Sequence, residues 1–404
     1  KRSPMKYCFF LSLLFFISFS CSIQKQEEKQ SSLYLGQVAP DSIPQVFMKG
    51  IISVPDRFDM GLAIAPDNSS LVFGVADPTR PEETCLYLMH LKDGEWSKPD
   101  KSFLSNNVNT FFPMFDPAGK KLYFAKSDED KDTDLWVARF ENKQALNPQP
   151  LDSLINSPYR EAGQGRTLYG DFYFTSNRDR LQACCGDIYY YGLDSIGSPQ
   201  VQKETTLSTP FDEESFFLSP EGDFIIIQAW KPEFESKHDL YISYRNKEGS
   251  WTTPERLNSS INSPAIEQRP FVTYDNQFLF FSRTSTYEVE GQTQYESDIY
   301  WLSTRSIFHP YPYHTQFERS VKYGQAFQIK FPGDIFRDVD DIALTYQLTR
   351  GDGFALPEGF TFDAETLTFQ GQWHFKKNQT FRLTSSDPYG NFGVFVFEMG
   401  DASL

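Results

Sequence analysis

From about residue 45 to residue 305 the chain alternates apolar and polar positions with a period of two, in short runs closed by Pro, Gly, Asp or Asn. Side chains two apart share one face of an extended strand, so this pattern predicts strands with one face buried. The runs recur in a fixed order about every fifty residues. Each unit opens with a turn: Ala65-Pro66-Asp67-Asn68, Asp116-Pro117-Ala118-Gly119, Ser219-Pro220-Glu221-Gly222 and a degenerate Tyr274-Asp275-Asn276-Gln277. An aromatic-rich strand follows each turn, as in Lys121-Leu122-Tyr123-Phe124 and Phe278-Leu279-Phe280-Phe281. The third copy keeps its strand, Asp171-Phe172-Tyr173-Phe174-Thr175, without the Pro turn. An acidic residue then leads a second strand: Asp134-Leu135-Trp136, Asp187-Ile188-Tyr189, Asp239-Leu240-Tyr241 and Asp298-Ile299-Tyr300; the first copy, Cys85-Leu86-Tyr87, lacks the acid. Gly94-Glu95-Trp96 matches Gly249-Ser250-Trp251, and Asn156-Ser157-Pro158 matches Asn262-Ser263-Pro264.

β-Branched and aromatic runs between such turns form antiparallel meanders. One four-stranded sheet leaves a face uncovered, so repeats of this length pack around an axis as propeller blades. Five units are visible, at about 58–107, 108–156, 157–208, 209–262 and 263–305. The segment 33–57 either closes the ring against the last blade or belongs to a sixth. The predicted fold is therefore all-β, with a five- or six-bladed propeller over 45–307.

After Arg305 the pattern changes. Phe308-His309-Pro310-Tyr311-Pro312-Tyr313 reads as a Pro-stiffened linker. Alternation resumes without the long repeat at Phe327–Phe331, Leu344–Leu348, Phe381–Thr384 and Val394–Phe397, which predicts a β-sandwich within 308–404.

The first forty-four residues belong to neither unit. Lys6 precedes the apolar run 7–19, which is too short for a stable membrane anchor, and small residues surround Cys21. That order predicts an export signal over 1–20. Residues 21–44 form a polar tether beginning with Gln24-Lys25-Gln26-Glu27-Glu28. Beyond Cys21 the exported part holds Cys85, Cys184 and Cys185, too few for a disulfide framework. Cys184-Cys185 is either a vicinal disulfide or two small loop residues.

Composition narrows the function. Lys+Arg 38 against Asp+Glu 54 gives a net charge of −16, and three of the basic residues lie in the leader. A nucleic-acid ligand is excluded on charge, since phosphate backbones require clustered Lys and Arg. The 16% aromatic content excludes wholesale disorder. The five histidines lack metal spacing, and neither a nucleophile elbow nor a phosphate-cradling loop is present.

Three resemblances rest on these residues. Cys21 behind the apolar run resembles the lipobox of bacterial lipoproteins, with Ser18 and Phe19 departing from the strict pattern; a plain secretory signal is the alternative. The resemblance implies diacylation of Cys21, an outer-membrane lipoprotein and, from the acidic tether, display on the cell surface. The Ser/Asp-Pro turn, aromatic strand and Asp-Ile/Leu-Tyr resemble the TolB-type, WD-repeat-like propellers of envelope proteins, which implies a protein or peptide ligand. Phe336-Arg337-Asp338-Val339-Asp340-Asp341, Leu356-Pro357-Glu358-Gly359 and Ser386-Asp387-Pro388-Tyr389-Gly390 resemble the dystroglycan-type cadherin-like family, which implies a spacer or adhesion module.

Candidate sites follow. An acidic position opens the inner strands at Asp59, Glu161, Glu213 (or Glu214) and Glu267, near the central channel; Arg178 and Arg283 follow equivalent strands. These six residues either line a ligand site or hold strand ends by hydrogen bonds. A sialidase-type reading fails, because Trp96 and Trp251 stand one residue too close to Gly94 and Gly249. The cadherin-like resemblance implies calcium, the one cofactor to consider, at Asp338, Asp340, Asp341 and Asp387, which offer the hard oxygens that ion takes. The insertions 181–186 and 284–296 lengthen loops on one face, where propeller ligands bind. The expected function is non-catalytic binding of an envelope protein, peptide or glycan, with the membrane reached through the lipid anchor. The alternatives are a glycan hydrolase using channel carboxylates and a calcium-dependent adhesion module.

Overall fold

The computed structural model describes residues 37–401, apart from 56, 78–79, 102–103, 105–108, 129–130, 181–185, 231–237, 290–291 and 341. Cys21, the leader, most of the tether, Cys184, Cys185 and Asp341 lie outside the described residues. The described chain is all-β; no helix in it is long and apolar enough to cross a membrane.

Each repeat unit is a four-stranded antiparallel blade. The second runs Asn109–Phe115, Lys121–Asp128, Lys131–Glu141 and Gln144–Pro150; the third runs Glu161–Arg166, Phe172–Ser176, Asp187–Leu193 and Pro199–Lys203. The fourth runs Asp212–Leu218, Phe224–Trp230, Asp239–Tyr244 and Glu255–Arg256. The first comprises Phe58–Ile64, Ser70–Asp77 and Arg80–Lys92, edged by the short strands Glu95–Trp96 and Asp100–Lys101. The fifth has Ile266–Val272, Phe278–Val289 and Gln292–Ser303, and its outer strand comes from the other end of the chain. Gln45 pairs with Trp301 and Val46 with Tyr300, antiparallel. The segment before the first repeat thus closes a five-bladed ring, and the first strands of the blades adjoin one another around the axis.

The turn signals work as their chemistry requires. Asn68, Gly119, Gly222 and Asn276 occupy the left-handed region, each donating its N–H back three residues. The third unit makes the same turn without proline, through Gly170, whose N–H reaches the Thr167 carbonyl. The predicted loop at 284–296 is instead a hairpin: Phe278–Val289 and Gln292–Ser303 stay in register out to Val289 and Gln292. Thr284, Thr286 and Thr293 supply the β-branched residues that extend it.

The sandwich has two sheets. One orders Ser320–Val321, Phe392–Asp401, Gln379–Ser386 and Thr345–Arg350; the other orders Ala326–Lys330, Thr368–Gln372 and Thr361–Asp363. Phe331, Ile335, Phe369, Trp373, Phe381 and Phe397 fill the space between them. The linker is bonded into the sandwich, with Tyr311–Pro312 pairing with Phe336–Arg337. It is also pinned to the fourth blade. Tyr311 stacks on Tyr244 with centroids 4.4 Å apart, the Tyr244 hydroxyl accepts from the His309 N–H at 3.3 Å, and Lys247 pairs with Asp334 at 2.8 Å.

Candidate functional site

Four of the sequence-predicted acids belong to one repeated device at the blade junctions. Where the chain enters the third blade, the Asn156 side chain accepts from the Leu135 N–H and donates to the Leu135 and Leu151 carbonyls. One residue on, Ser157 donates its hydroxyl to Glu161 Oε1 at 2.6 Å and its backbone N–H to Oε2 at 3.1 Å. The entry to the fifth blade repeats this with Asn262 on Leu240 and Ser263 on Glu267, at the same 2.6 and 3.1 Å. At the entry to the fourth blade Ser208 clasps Ile188, and Thr209 donates to Glu213. At the ring closure Ser53 clasps Ile299, and Val54 donates to Asp59. Pro follows in all four, at 158, 264, 210 and 55. One short stretch therefore ties the preceding blade's third strand to the next blade's first.

The arginines complete these clasps. Arg178 pairs with Glu161 at 3.2 Å while capping the Leu154 and Ile155 carbonyls; Arg283 pairs with Glu267 at 2.8 Å and caps the Ile261 carbonyl. Arg57 does the same for Asp59 at 2.8 Å and the Ile52 carbonyl. Burial, the largest influence, raises all four acids despite these donors: Asp59, Glu213 and Glu267 to about 7, and Glu161 in the same direction. All four have 0% exposure, and their oxygens accept from the chain itself.

The channel is lined by other residues. Every first strand slips register by a bulge, at Gly61, Phe112, Gly163, Glu214 and Arg269, which lies just inside the acid in the four blades that have one. Gly61, Phe112 and Arg269 take left-handed backbone angles (φ 63°, 51° and 53°), a strained state for the last two. The bulge reverses which side chain faces the axis. It explains the two readings of the fourth blade's acid: Glu213 joins the clasp, whereas Glu214 enters the channel.

Glu214 accepts from Arg160 Nη2 at 2.7 Å and from Gln228 Nε2 at 3.1 Å. Burial would raise it, but Arg160, Arg269 and His238 hold it down to about 2. Ser215 donates its hydroxyl to the side-chain Oε1 of Gln228, and the Arg269 backbone N–H points at both oxygens. The Arg269 guanidinium lies 5.1 Å from the centre of the Phe112 ring and donates to Gln268; burial lowers it to about 10. Gln164 donates to the Phe112 carbonyl at 2.5 Å. Two polar atoms here have no partner: the Gln164 Oε1 acceptor, on a side chain 5% exposed, and the Arg269 Nε donor. Both residues face a cavity of about 50 Å³, walled otherwise by Met60, Phe112, Met114 and Phe216.

On the same end stand Asp212 and His238, with Nε2 3.1 Å from Asp212 Oδ2. With Glu214 they form the one group of three metal-competent side chains among the described residues. Arg160 already neutralises Glu214, so a cation would have to displace it. The hairpin of Phe278–Val289 and Gln292–Ser303 rises from this face, since Glu267 is opposite Arg283; residues 181–185 of the other predicted insertion lie outside the described residues.

In the sandwich the predicted calcium residues divide. Asp387 holds its own turn, accepting from the Tyr389 and Asn391 N–H groups and from Asn391 Nδ2. It does not close on Asp338 and Asp340 as a three-carboxylate group. Asp338 and Asp340 do approach each other; burial first, and then Asp340, push Asp338 up to about 7.

Comparison with known proteins adds the following. The family described as "Putative Ig domain" matches residues 312–399, which covers the sandwich. No curated protein matches. Among solved structures, TolB from Acinetobacter baumannii is 16% identical with a TM-score of 0.37, covering 61% of this chain and 54% of that one, so the match spans about half of TolB. An oligogalacturonate lyase in complex with manganese is 16% identical at TM-score 0.33, covering 62% and 66%. Prolyl oligopeptidase B from Galerina marginata is 8% identical at 0.34, covering 80% and 38%. The architecture rests on the chain's own strand pairing: a five-bladed propeller followed by an Ig-like sandwich.

Proposed function

We propose that this chain is a non-catalytic binding protein of the cell envelope, anchored by lipid on Cys21, whose propeller takes a peptide segment of a protein partner at the channel. One observation carries the reading. The channel contains an unpartnered buried acceptor, Gln164 Oε1, and an unpartnered donor, Arg269 Nε, beside an apolar wall. A peptide group offers one N–H and one carbonyl, which complement that pair, and a neighbouring apolar side chain suits Met60, Met114 and Phe216. Leaving both atoms without partners costs stability, and strained bulges of this kind concentrate at binding sites.

The cavity holds only a few water-sized groups, so the tip of one side chain enters while the segment lies above it. There it meets Arg160, Glu214, Asp212 and His238, and the arm formed by Phe278–Val289 and Gln292–Ser303. The sandwich, with its cadherin-like features, serves as a spacer. The hydrolase alternative receives less support, because the carboxylates of Asp59, Glu161, Glu213 and Glu267 are closed off from any substrate.

The test is to extract the lipidated protein from native membranes in mild detergent and identify what co-purifies. A protein partner at fixed stoichiometry supports the reading. Recovery of the chain alone, together with hydrolysis on glycan panels that E213Q and E267Q abolish, replaces it with the hydrolase.

A further inference from the structure

The hairpin of the fifth blade outruns the sheet that carries it. Phe278–Val289 last meets the strand Ile266–Val272 at Thr284, and Gln292–Ser303 last meets the first blade at Ser297, opposite Phe58. Five more cross-strand pairs, from Ser285–Glu296 out to Val289–Gln292, continue beyond these points without a bulge. No other strand among the described residues pairs with either edge of this arm. A two-stranded ribbon is marginal on its own. Free strand edges recruit further strands through their unpaired N–H and C=O groups, and lysine, proline or a bulge ordinarily blunts them. Residues 284–304 contain no lysine, arginine or proline, while Thr284, Thr286, Val289 and Thr293 favour extension. Tyr287, Val289 and Tyr295 are 45%, 46% and 47% exposed on the arm. Its edges are thus extended by the sequence and left unprotected.

Charge distinguishes the possible occupants. The same stretch carries Glu288, Glu290, Glu296 and Asp298. Directly opposite residues share a face, so Tyr287 stands with Glu296 on one side and Tyr295 with Glu288 on the other. At the foot of the arm, burial and then the Glu296 charge raise Asp298, which reflects concentrated negative charge. A second copy of this chain would set acids against acids across the new pair. A strand with lysine or arginine on both faces instead lays its stems along the tyrosine rings and brings its charges to the glutamates.

We propose that the arm takes a basic, extended segment of a partner protein by strand addition. Main-chain bonds along a free edge supply affinity, and the faces of tyrosine and glutamate select the partner. The proposal rests on the binding reading above but not on the channel.

The experiment uses the full chain and a fluorescein-labelled peptide of repeated lysine-lysine-threonine-valine, followed by anisotropy and by amide hydrogen exchange. The peptide is expected to bind, to weaken between about 50 and about 500 mM sodium chloride, and to slow exchange in residues 285–296. E288K/E296K, at two exposed positions, should keep the parent melting temperature and bind the peptide about tenfold more weakly or worse. Replacing 286–295 by Asn-Gly closes Ser285 on Glu296 with a two-residue turn, which keeps the blade and should abolish binding. Binding that survives this replacement, or that the same peptide with glutamate for lysine matches, overturns the proposal. So does a parent chain that ignores the peptide. Self-association in sedimentation that the replacement abolishes gives the arm to a second copy and also overturns it. Binding without slowed exchange in 285–296 overturns the arm while leaving the binding reading intact.

Discussion

A Cβ placed on Gly61 would lie 2.8 Å from the Cβ of Arg269, closer than carbon atoms approach without something shifting. The two bulges meet across the channel, and Gly61 is the residue that allows the Arg269 chain through. Its φ of 63° adds a second demand for glycine. G61A is expected to cost about 2 kcal/mol or more, from clash and left-handed strain together. In a double-mutant cycle R269G should return the steric part, a coupling of about 1 kcal/mol by urea unfolding; strict additivity would mean the two residues do not touch.

The clasps predict a large loss from one small change. Asn262 is 3% exposed and makes three hydrogen bonds, two to Leu240 and one to the Leu257 carbonyl. N262A leaves those backbone groups buried and unpaired, at about 1 kcal/mol or more each, so about 3 kcal/mol is expected. S259A, at an exposed position in the same loop, provides the control and should change little.

Stability should fall as pH rises through the neutral range. Glu213 and Glu267 stand at about 7 in the folded chain against 4.5 as the reference value. Between these values the folded state holds protons that the unfolded state has released. The stabilisation is full below about pH 4.5 and gone above about pH 7. Each carboxylate contributes up to about 2 kcal/mol to the drop between pH 5 and pH 8. Urea midpoints across that range should show the drop in the parent chain and a flatter profile in E213Q/E267Q; parallel profiles would mean that both acids are ionised throughout.

Tyr244 should be the pin of the domain junction. Its ring stacks on Tyr311 at 8° and is 2% exposed, and its hydroxyl accepts from His309. Y244A removes a buried aromatic worth about 3–5 kcal/mol. Limited proteolysis should then cut near 308–314 and release a folded sandwich, whose core of Phe369, Trp373 and Phe381 is its own. Unchanged resistance would place the pin elsewhere.

The repeat was readable because period-two alternation and left-handed turn residues act locally: Pro117 and Gly119 specify their turn whatever surrounds it. The clasp was readable in outline from Asn156-Ser157-Pro158 and its copy at 262, although Ser208-Thr209 and Ser53-Val54 carry the same role with different residues. The channel site was not readable. Bulges shift side-chain parity by one, so Glu213 and Glu214 exchange the roles that alternation gives them, and Gln164 and Arg269 sit where a strand should be apolar. The one sequence signal was that breach of pattern: Gln164 between two glycines, and Arg269 before Pro270. The pairing of Asp338 with Asp340, without Asp387, depends on a turn that Asp387 holds for itself.

The most direct test of the binding account is the stoichiometry of co-purifying protein from native membranes for the parent chain and for R269G. That variant suits a φ of 53° and removes the guanidinium without backbone strain. The account predicts a partner at fixed ratio to the parent chain, lost from R269G while the melting temperature holds. A partner retained undiminished by R269G, or a parent chain that emerges alone, contradicts it.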